Sequence, residues 1–289
     1  MVHMTSVLST SSLAENRLAF LGTGSMNGAV LRGIIAAGYD PAAIVATLRS
    51  DAKAHDLRAE TGVTVLIGEH DPESNLKAAK DADIVFLGVK PVGITALCDE
   101  IKDVLKPSAV VVSVAAAITI DMIAAHLNPG QPVVRSMPNT PLKVGAGAVG
   151  LSAGETVSPA ALAAVVDLFA GSGVVHVVPE SQQDAVSAVS GSGPAYVFYL
   201  VEAMAAAGVE LGLDPALATD LARATVAGAG KMLADPQVDP SALRQGVTSP
   251  NGTTEQAIAT FDAEGLPQVI ARGAAAAAAR AAQITRELA

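Results

Sequence analysis

Tryptophan is absent from this 289-residue chain, cysteine occurs once, and the aromatics amount to three tyrosines and five phenylalanines. A lone cysteine, Cys98, rules out an intramolecular disulfide and every CxxC metal or redox motif. Positive charge is scarce as well: 18 Lys and Arg stand against 28 Asp and Glu, a formal net charge of −10. Such a surface repels phosphate backbones and anionic headgroups, so neither nucleic acid nor a membrane is expected as partner. The histidines His3, His55, His70, His126 and His176 stand singly, with no pair at helical spacing and no cysteine nearby, so no metal site is expected. Long uncharged runs are missing too. The longest, residues 185–201, falls short of the roughly 18–20 residues that span a bilayer and carries Gly191-Ser192-Gly193-Pro194 near its centre. A mean hydropathy of +0.44 then reflects a soluble protein with a large core.

What the chain does have is alanine, valine and alternation. At roughly 100–200 residues per domain, its length suggests about two domains. Continuous apolar runs at 18–21, 44–48, 63–67, 84–89, 110–114, 133–137, 146–151 and 174–178 read as strands buried on both faces of a parallel sheet. Helix candidates lie between them, at 26–37, 51–60, 92–105 and 159–169. That order predicts a doubly wound α/β domain over 17–181. Beyond it the β-branched runs vanish, and 182–289 reads as an all-helical domain. Asp214-Pro215, Asp235-Pro236 and Asp239-Pro240 each suit a helix start, and 266–288 reads as a long, tightly packed helix. Residues 1–16 lack the basic and apolar regions of a signal peptide and read as a disordered tail or an expression remnant, which makes the cytoplasm the expected location.

The first strand runs into Gly22-Thr23-Gly24-Ser25-Met26-Asn27-Gly28. Gly22 permits a tight turn, Gly24 lets a pyrophosphate approach the backbone, and the next helix aims its first amides at that anion. The match is imperfect, since Asn27 stands where a small residue is expected. At the tip of the second strand, Arg49 and Ser50 replace the acid that would accept from a ribose 2′-hydroxyl. Both can donate to a 2′-phosphate, which favours NADP(H) and leaves NAD(H) open. The plain alternative is that Arg49 is a solvated surface residue and Asp51 only an N-cap for the next helix. Lys90, after the fourth strand, lies where ligands gather in open α/β sheets.

Three later segments, Arg135-Ser136-Met137-Pro138-Asn139-Thr140-Pro141, Ser190-Gly191-Ser192-Gly193-Pro194-Ala195-Tyr196 and Val247-Thr248-Ser249-Pro250-Asn251-Gly252-Thr253-Thr254, follow Val89-Lys90-Pro91 in order. With them the chain resembles the pyrroline-5-carboxylate reductases from about Leu18 to Leu288. The resemblance implies a Rossmann domain followed by a helical dimerisation domain, with dimers commonly assembled into larger rings such as a decamer. It implies hydride transfer from NAD(P)H to the ring C=N bond of 1-pyrroline-5-carboxylate, giving L-proline. Carried over position by position, it puts Gly22, Gly24, Ser25, Met26, Asn75, Val89, Lys90 and Pro91 on the cofactor. Ser249, Gly252, Thr253 and Thr254 then surround the substrate, in an active site built across the dimer. Asn27 and Asn251 depart from the family's usual small residue and glycine. Both tolerate left-handed backbone, so both turns are expected to survive.

The loop makes chemical sense on its own terms. Reducing a cyclic imine needs a held hydride donor, a partner for the carboxylate, and a donor near the nitrogen. Hydroxyls and free N–H groups at a helix start supply the last two, and Thr254 is placed to hydrogen-bond the ring nitrogen as a positioning group. The plain alternative is that Ser249 or Thr253 merely caps the helix. Ser190-Gly191-Ser192-Gly193 lacks the spacing of a nucleophile elbow and reads as room for a helix to pass the nicotinamide. Two other functions share the plan: another NADP-dependent imine or 3-hydroxyacid oxidoreductase, and a non-catalytic NADP-binding sensor. The hydroxyacid enzymes use a lysine on the helical domain, and the only one here, Lys231, lacks the expected Asn one turn on.

Overall fold

Every one of the eight apolar runs becomes a strand of one sheet. The computed structural model describes residues 16–289, so the expected tail lies outside the described residues apart from Asn16. In chain order come β1 (Leu18–Leu21), α1 (Ser25–Ala36), β2 (Ile44–Leu48), α2 (Ala54–Thr61), β3 (Thr64–Ile67), α3 (Ser74–Ala79), β4 (Ile84–Leu87) and α4 (Ile94–Ile101). Then follow β5 (Val110–Ser113), α5 (Ile120–Ala124), β6 (Val133–Pro138), β7 (Gly147–Ala153), α6 (Pro159–Ala170), β8 (Gly173–Val177) and α7 (Gln183–Val186). The chain ends in α8 (Gly193–Glu210), α9 (Pro215–Met232), α10 (Pro240–Gly246), α11 (Thr253–Ala263) and α12 (Leu266–Leu288).

The strand order is β3-β2-β1-β4-β5-β6-β7-β8, so the chain reverses direction across the sheet between β1 and β4. In β1 the apolar run divides by parity. Leu18 and Phe20 enter a core with α1, α2 and α6, whereas Ala19 and Leu21 enter one with α3, α4 and α5. Phe20 and Phe86 stack at 4.4 Å, and Phe169 meets Phe86 edge-on at 5.9 Å. Three of the five phenylalanines thus build one spot of the first core.

Two strand expectations need correction. β7 pairs antiparallel with β6, because only the eight residues 139–146, which include the short 3₁₀ segment Thr140–Val144, join them. A parallel return would need a crossover of about a dozen residues or more. β8 is not buried on both faces: it is the sheet edge, with Val174 58% and Val177 54% exposed. The expected helix at 51–60 opens with the 3₁₀ turn Asp51–Lys53, and the one at 92–105 is a shorter α-helix with a 3₁₀ turn at each end. Asp214 and Asp239 cap α9 and α10 as expected, accepting from Ala216 N (2.9 Å) and Ser241 N (3.0 Å). Asp235-Pro236 starts no helix. Its carboxylate accepts from Gln237 N (2.9 Å) and closes a turn.

By internal packing the chain divides into two units, one ending at Gly191 and including 278–289, the other covering 192–277. The expected seam at 181/182 falls where the strands end, but the chain stays on the sheet for ten more residues. Gln183 is buried and donates to Ser152 Oγ (2.8 Å), and at Gly191 a Cβ would lie 2.5 Å from Met137 Cε. Leu288 packs against the second core of the first unit. In the helical unit Gly208 lets α8 approach α9, since a Cβ there would meet that of Ala218 at 3.1 Å. Among the described residues of this unit only Ala218 and Ala222 are buried. α12 is long, as expected, yet buries none of its residues in the single chain. Among the described residues no helix is long and apolar enough to cross a membrane.

Cys98 lies on the inner face of α4 with no exposed surface, and burial raises its thiol pKa to about 12. The native protein is therefore expected to resist a thiol-titrating reagent at neutral pH and to yield one reactive thiol per chain once unfolded in guanidinium. Measuring the chromogenic release before and after denaturant checks this.

Candidate functional site

β1 and β4 end side by side, and the chain turns away from both where no side chain fits between them. Gly22 adopts φ +72°, and a Cβ there would sit 2.6 Å from Val89 Cγ1. Glycine is thus required twice over, by conformation and by space. Gly24 and Ser25 follow, both exposed, and α1 begins with no side-chain cap and no acid in its first turn. Its first amides and the positive end of its dipole are bare, a fit for a pyrophosphate. Met26, half-buried, completes the expected turn.

Asn27 differs from expectation. It lies inside α1 with helical backbone, and left-handed tolerance has no part in it. Its fully buried amide donates to Leu21 O and Phe86 O, both at 3.3 Å, bridging the ends of β1 and β4. The room comes from Gly88, where a Cβ would be 2.1 Å from Asn27 Nδ2. A small residue at the third motif position is replaced by a larger one, and its neighbour strand yields the space.

Asn75 stands beneath the same turn. Gly22 N–H donates to Thr47 Oγ1 (2.9 Å), Thr47 Oγ1 donates to Asn75 Oδ1 (2.8 Å), and Asn75 Nδ2 donates to Glu100 (3.3 Å). The buried Thr47 was missed by sequence reasoning, although a lone hydroxyl in the run Ile-Val-Ala-Thr-Leu was its signal. After β2, Arg49 is exposed and Ser50 half-buried. Asp51 caps nothing; its carboxylate pairs with His70 Nε2 at 2.7 Å. Lys90 is exposed and precedes the 3₁₀ turn Pro91–Gly93, accepting from Gly93 N at 2.8 Å through its carbonyl. Among the described residues neither Arg49 nor Lys90 forms an ion pair, and no group of three or more acidic, His or Cys side chains could hold a metal.

In the helical unit, the loop before α11 turns at Asn251, which takes the left-handed conformation (φ +58°) expected of it. Gly252 N donates to Ser249 O (2.9 Å), and Asn251 N donates to the Glu255 carboxylate (2.7 Å). Gly252 is the N-cap residue and no side chain caps the helix. The capping alternative for Ser249 and Thr253 is thereby removed. Among the described residues the hydroxyls of Ser249, Thr253 and Thr254 make no hydrogen bond. Ser249 and Thr253 are exposed, Gly252 and Thr254 half-buried. Three free hydroxyls and the first amides of an eleven-residue helix converge on one short loop.

Comparison with known proteins gives a consistent picture. A profile described as pyrroline-5-carboxylate reductase dimerisation matches residues 180–284, and one described as NADP oxidoreductase coenzyme F420-dependent matches residues 17–117. Pyrroline-5-carboxylate reductase of Pseudomonas aeruginosa is 40% identical over 96% of this chain and 99% of its own length. That of Escherichia coli is 36% identical over 87% of this chain and 91% of its own. Among solved structures, the Coxiella burnetii enzyme superposes with a TM-score of 0.86 at 38% identity, covering 95% of this chain and 98% of that one. The Plasmodium falciparum pyrroline carboxylate reductase, solved with NADP bound, gives 0.79 at 25% identity, covering 94% and 98%.

Thr47 supplies the test of the network under the glycine turn. Thr47→Val keeps the shape but removes the acceptor of Gly22 N–H and the donor to Asn75, and is expected to cost about 1–3 kcal/mol of stability. Thr47→Ser retains both bonds and should lose less. Urea unfolding of the two variants beside the parent protein measures the difference.

Proposed function

The chain belongs to the pyrroline-5-carboxylate reductase family, and from that premise we propose that it reduces 1-pyrroline-5-carboxylate to L-proline, the last step of proline biosynthesis, with NADPH preferred over NADH. The observation that carries the reading is the loop from Ser249 to Thr254, whose left-handed Asn251 and uncapped Gly252 leave hydroxyls and helix amides free for a carboxylate. The bare start of α1 beyond Gly22 and Gly24 supports the cofactor, with Ser25, Met26, Val89, Lys90 and Pro91 around it and Asn75 behind it. When bound, NADPH supplies the hydride.

The chain's own residues then have limited and definite work. Ser249 and Thr253 hold the substrate carboxylate through their hydroxyls and the free N–H of Thr253, where the positive end of α11 favours an anion, and Gly252, its own N–H given to Ser249 O, lines the site by its backbone. Thr254 offers its hydroxyl to the ring nitrogen. An unactivated alcohol is too weak an acid to drive protonation, so Thr254 orients the ring and satisfies the nitrogen as its charge changes. Arg49 and Ser50 take the 2′-phosphate, and no acid at the end of β2 favours a 2′-hydroxyl instead.

The helical region from 182 onward is the proposed dimerisation and substrate domain, forming a homodimer that assembles into a larger ring such as a decamer. Support comes from its exposed apolar side chains, Phe198 61%, Tyr199 73% and Leu200 51%, which a partner copy would cover. A cytoplasmic location fits the absence of a membrane-crossing helix among the described residues. The hydroxyacid oxidoreductase and the sensor find no support beside relatives that are pyrroline-5-carboxylate reductases over most of their length.

Following NADPH oxidation with pyrroline-5-carboxylate tests the reading, and no turnover by the assembled protein would sink it. Thr254→Ala is expected to lose turnover or substrate binding while NADPH binding persists; wild-type activity would remove its assigned role. Arg49→Ala should weaken use of NADPH with NADH use little changed, and equal loss with both would point to general docking or folding.

A further inference from the structure

Beside the glycine turn lies a cavity of about 410 Å³ whose wall includes Gly24, Ser25, Arg32, Lys53, Leu57 and Lys143. Three cations and no carboxylate line it, in a chain with ten more acids than bases. Arg32 is already committed. It forms a two-pronged pair with Glu60 (2.8 and 2.7 Å) and donates to Gly28 O (3.0 Å). Among the described residues Lys53 and Lys143 form no ion pair.

We propose that Lys53 and Lys143 are specificity-determining residues that grip the adenosine 2′-phosphate, adding to Arg49 and Ser50 and giving the site its preference for NADP(H). This rests on the cofactor reading above. The bare amides of α1 serve the pyrophosphate, which NAD and NADP share, and cannot discriminate between them. Discrimination requires charge on the β2 side of the turn, where the adenosine ribose lies in folds of this topology. Lys53 is placed there by the 3₁₀ turn Asp51–Lys53 that joins β2 to α2, four residues after Arg49. Lys143 arrives from the turn between β6 and β7, far along the sequence, and no reading of the β2 end could reveal it. A phosphate monoester dianion matches two free ammonium groups; a ribose hydroxyl would leave both unmatched.

Calorimetric titration of the full chain with NADP+, NAD+ and adenosine 2′,5′-bisphosphate, in the absence of substrate, tests this without reference to turnover. Lys53→Gln and Lys143→Gln are each expected to weaken NADP+ and the bisphosphate by roughly tenfold, as loss of one charge-assisted contact implies, with NAD+ unchanged. Lys143→Arg should restore the affinity. Unchanged NADP+ affinity, or equal loss for NAD+, would overturn the assignment while leaving the reductase reading in place. A parent protein that binds neither dinucleotide would overturn both.

Discussion

The closeness of β1 and β4 where they end governs the rest of the first unit. The strands run in register from Leu18 beside Ile84 to Leu21 beside Leu87, and both chains must then leave through a gap too narrow for a Cβ. Gly22 and Gly88 stand on either side of that gap, against Val89 and Asn27. Because Gly22 turns so tightly, α1 starts at once and points its uncapped amides over the point where the sheet reverses direction. Because Gly88 has no side chain, Asn27 reaches the carbonyls of both strands and ties them. Thr47 adds the third strand by accepting from Gly22 and donating to Asn75. The site's shape thus follows from two missing side chains and two polar ones, all beneath the surface a cofactor would touch.

Much of this could be read from the sequence, and the misses have physical causes. All eight strands were visible, since burial on both faces leaves an unbroken apolar run. The run does not encode direction, so the antiparallel β7 could be found only by counting the eight residues 139–146 that leave no room for a crossover. Asp-Pro proved a sound helix start at 214 and 239 but not at 235, where the same side chain–backbone bond closes a turn instead. Asn27 was read by its backbone tolerance, whereas its side chain is what matters. That role depends on Gly88, sixty-one positions on, and a single sequence does not reveal which residues lie opposite each other. Asn251, whose role is local, was legible for that reason.

Charge follows the same division between near and far. Among the described residues seven of the eighteen Lys and Arg pair with carboxylates, Arg32 with Glu60, Lys77 with Asp71, Lys102 with Asp99 and Lys106 with Asp83 among them. Exposed pairs of this sort add little stability. Each pair removes one positive charge from those that can attract an anion. Eleven others form no ion pair among the described residues, and four of these, Arg49, Lys53, Lys90 and Lys143, sit on the segments that follow β2, β4 and β6. An acidic protein that must hold a polyanion needs its free cations concentrated, because the field of the whole chain opposes binding.

The helical unit obeys a different constraint. Burial is confined to Ala218 and Ala222 between α8 and α9, while Phe198, Tyr199, Leu200 and Phe261 are exposed in the single chain. At about 25 cal/mol per Å² of apolar surface, so little burial cannot offset the entropy of ordering five helices. Its fold and its association are therefore two sides of one requirement, in keeping with the dimerisation profile that covers it. The loop at Ser249–Thr254 is exempt. Its turn is set by Asn251, by the bond from Gly252 N to Ser249 O and by the reach of Glu255 to Asn251 N, all within seven residues. Local bonds fix where the hydroxyls stand, so the geometry of this loop does not wait on association.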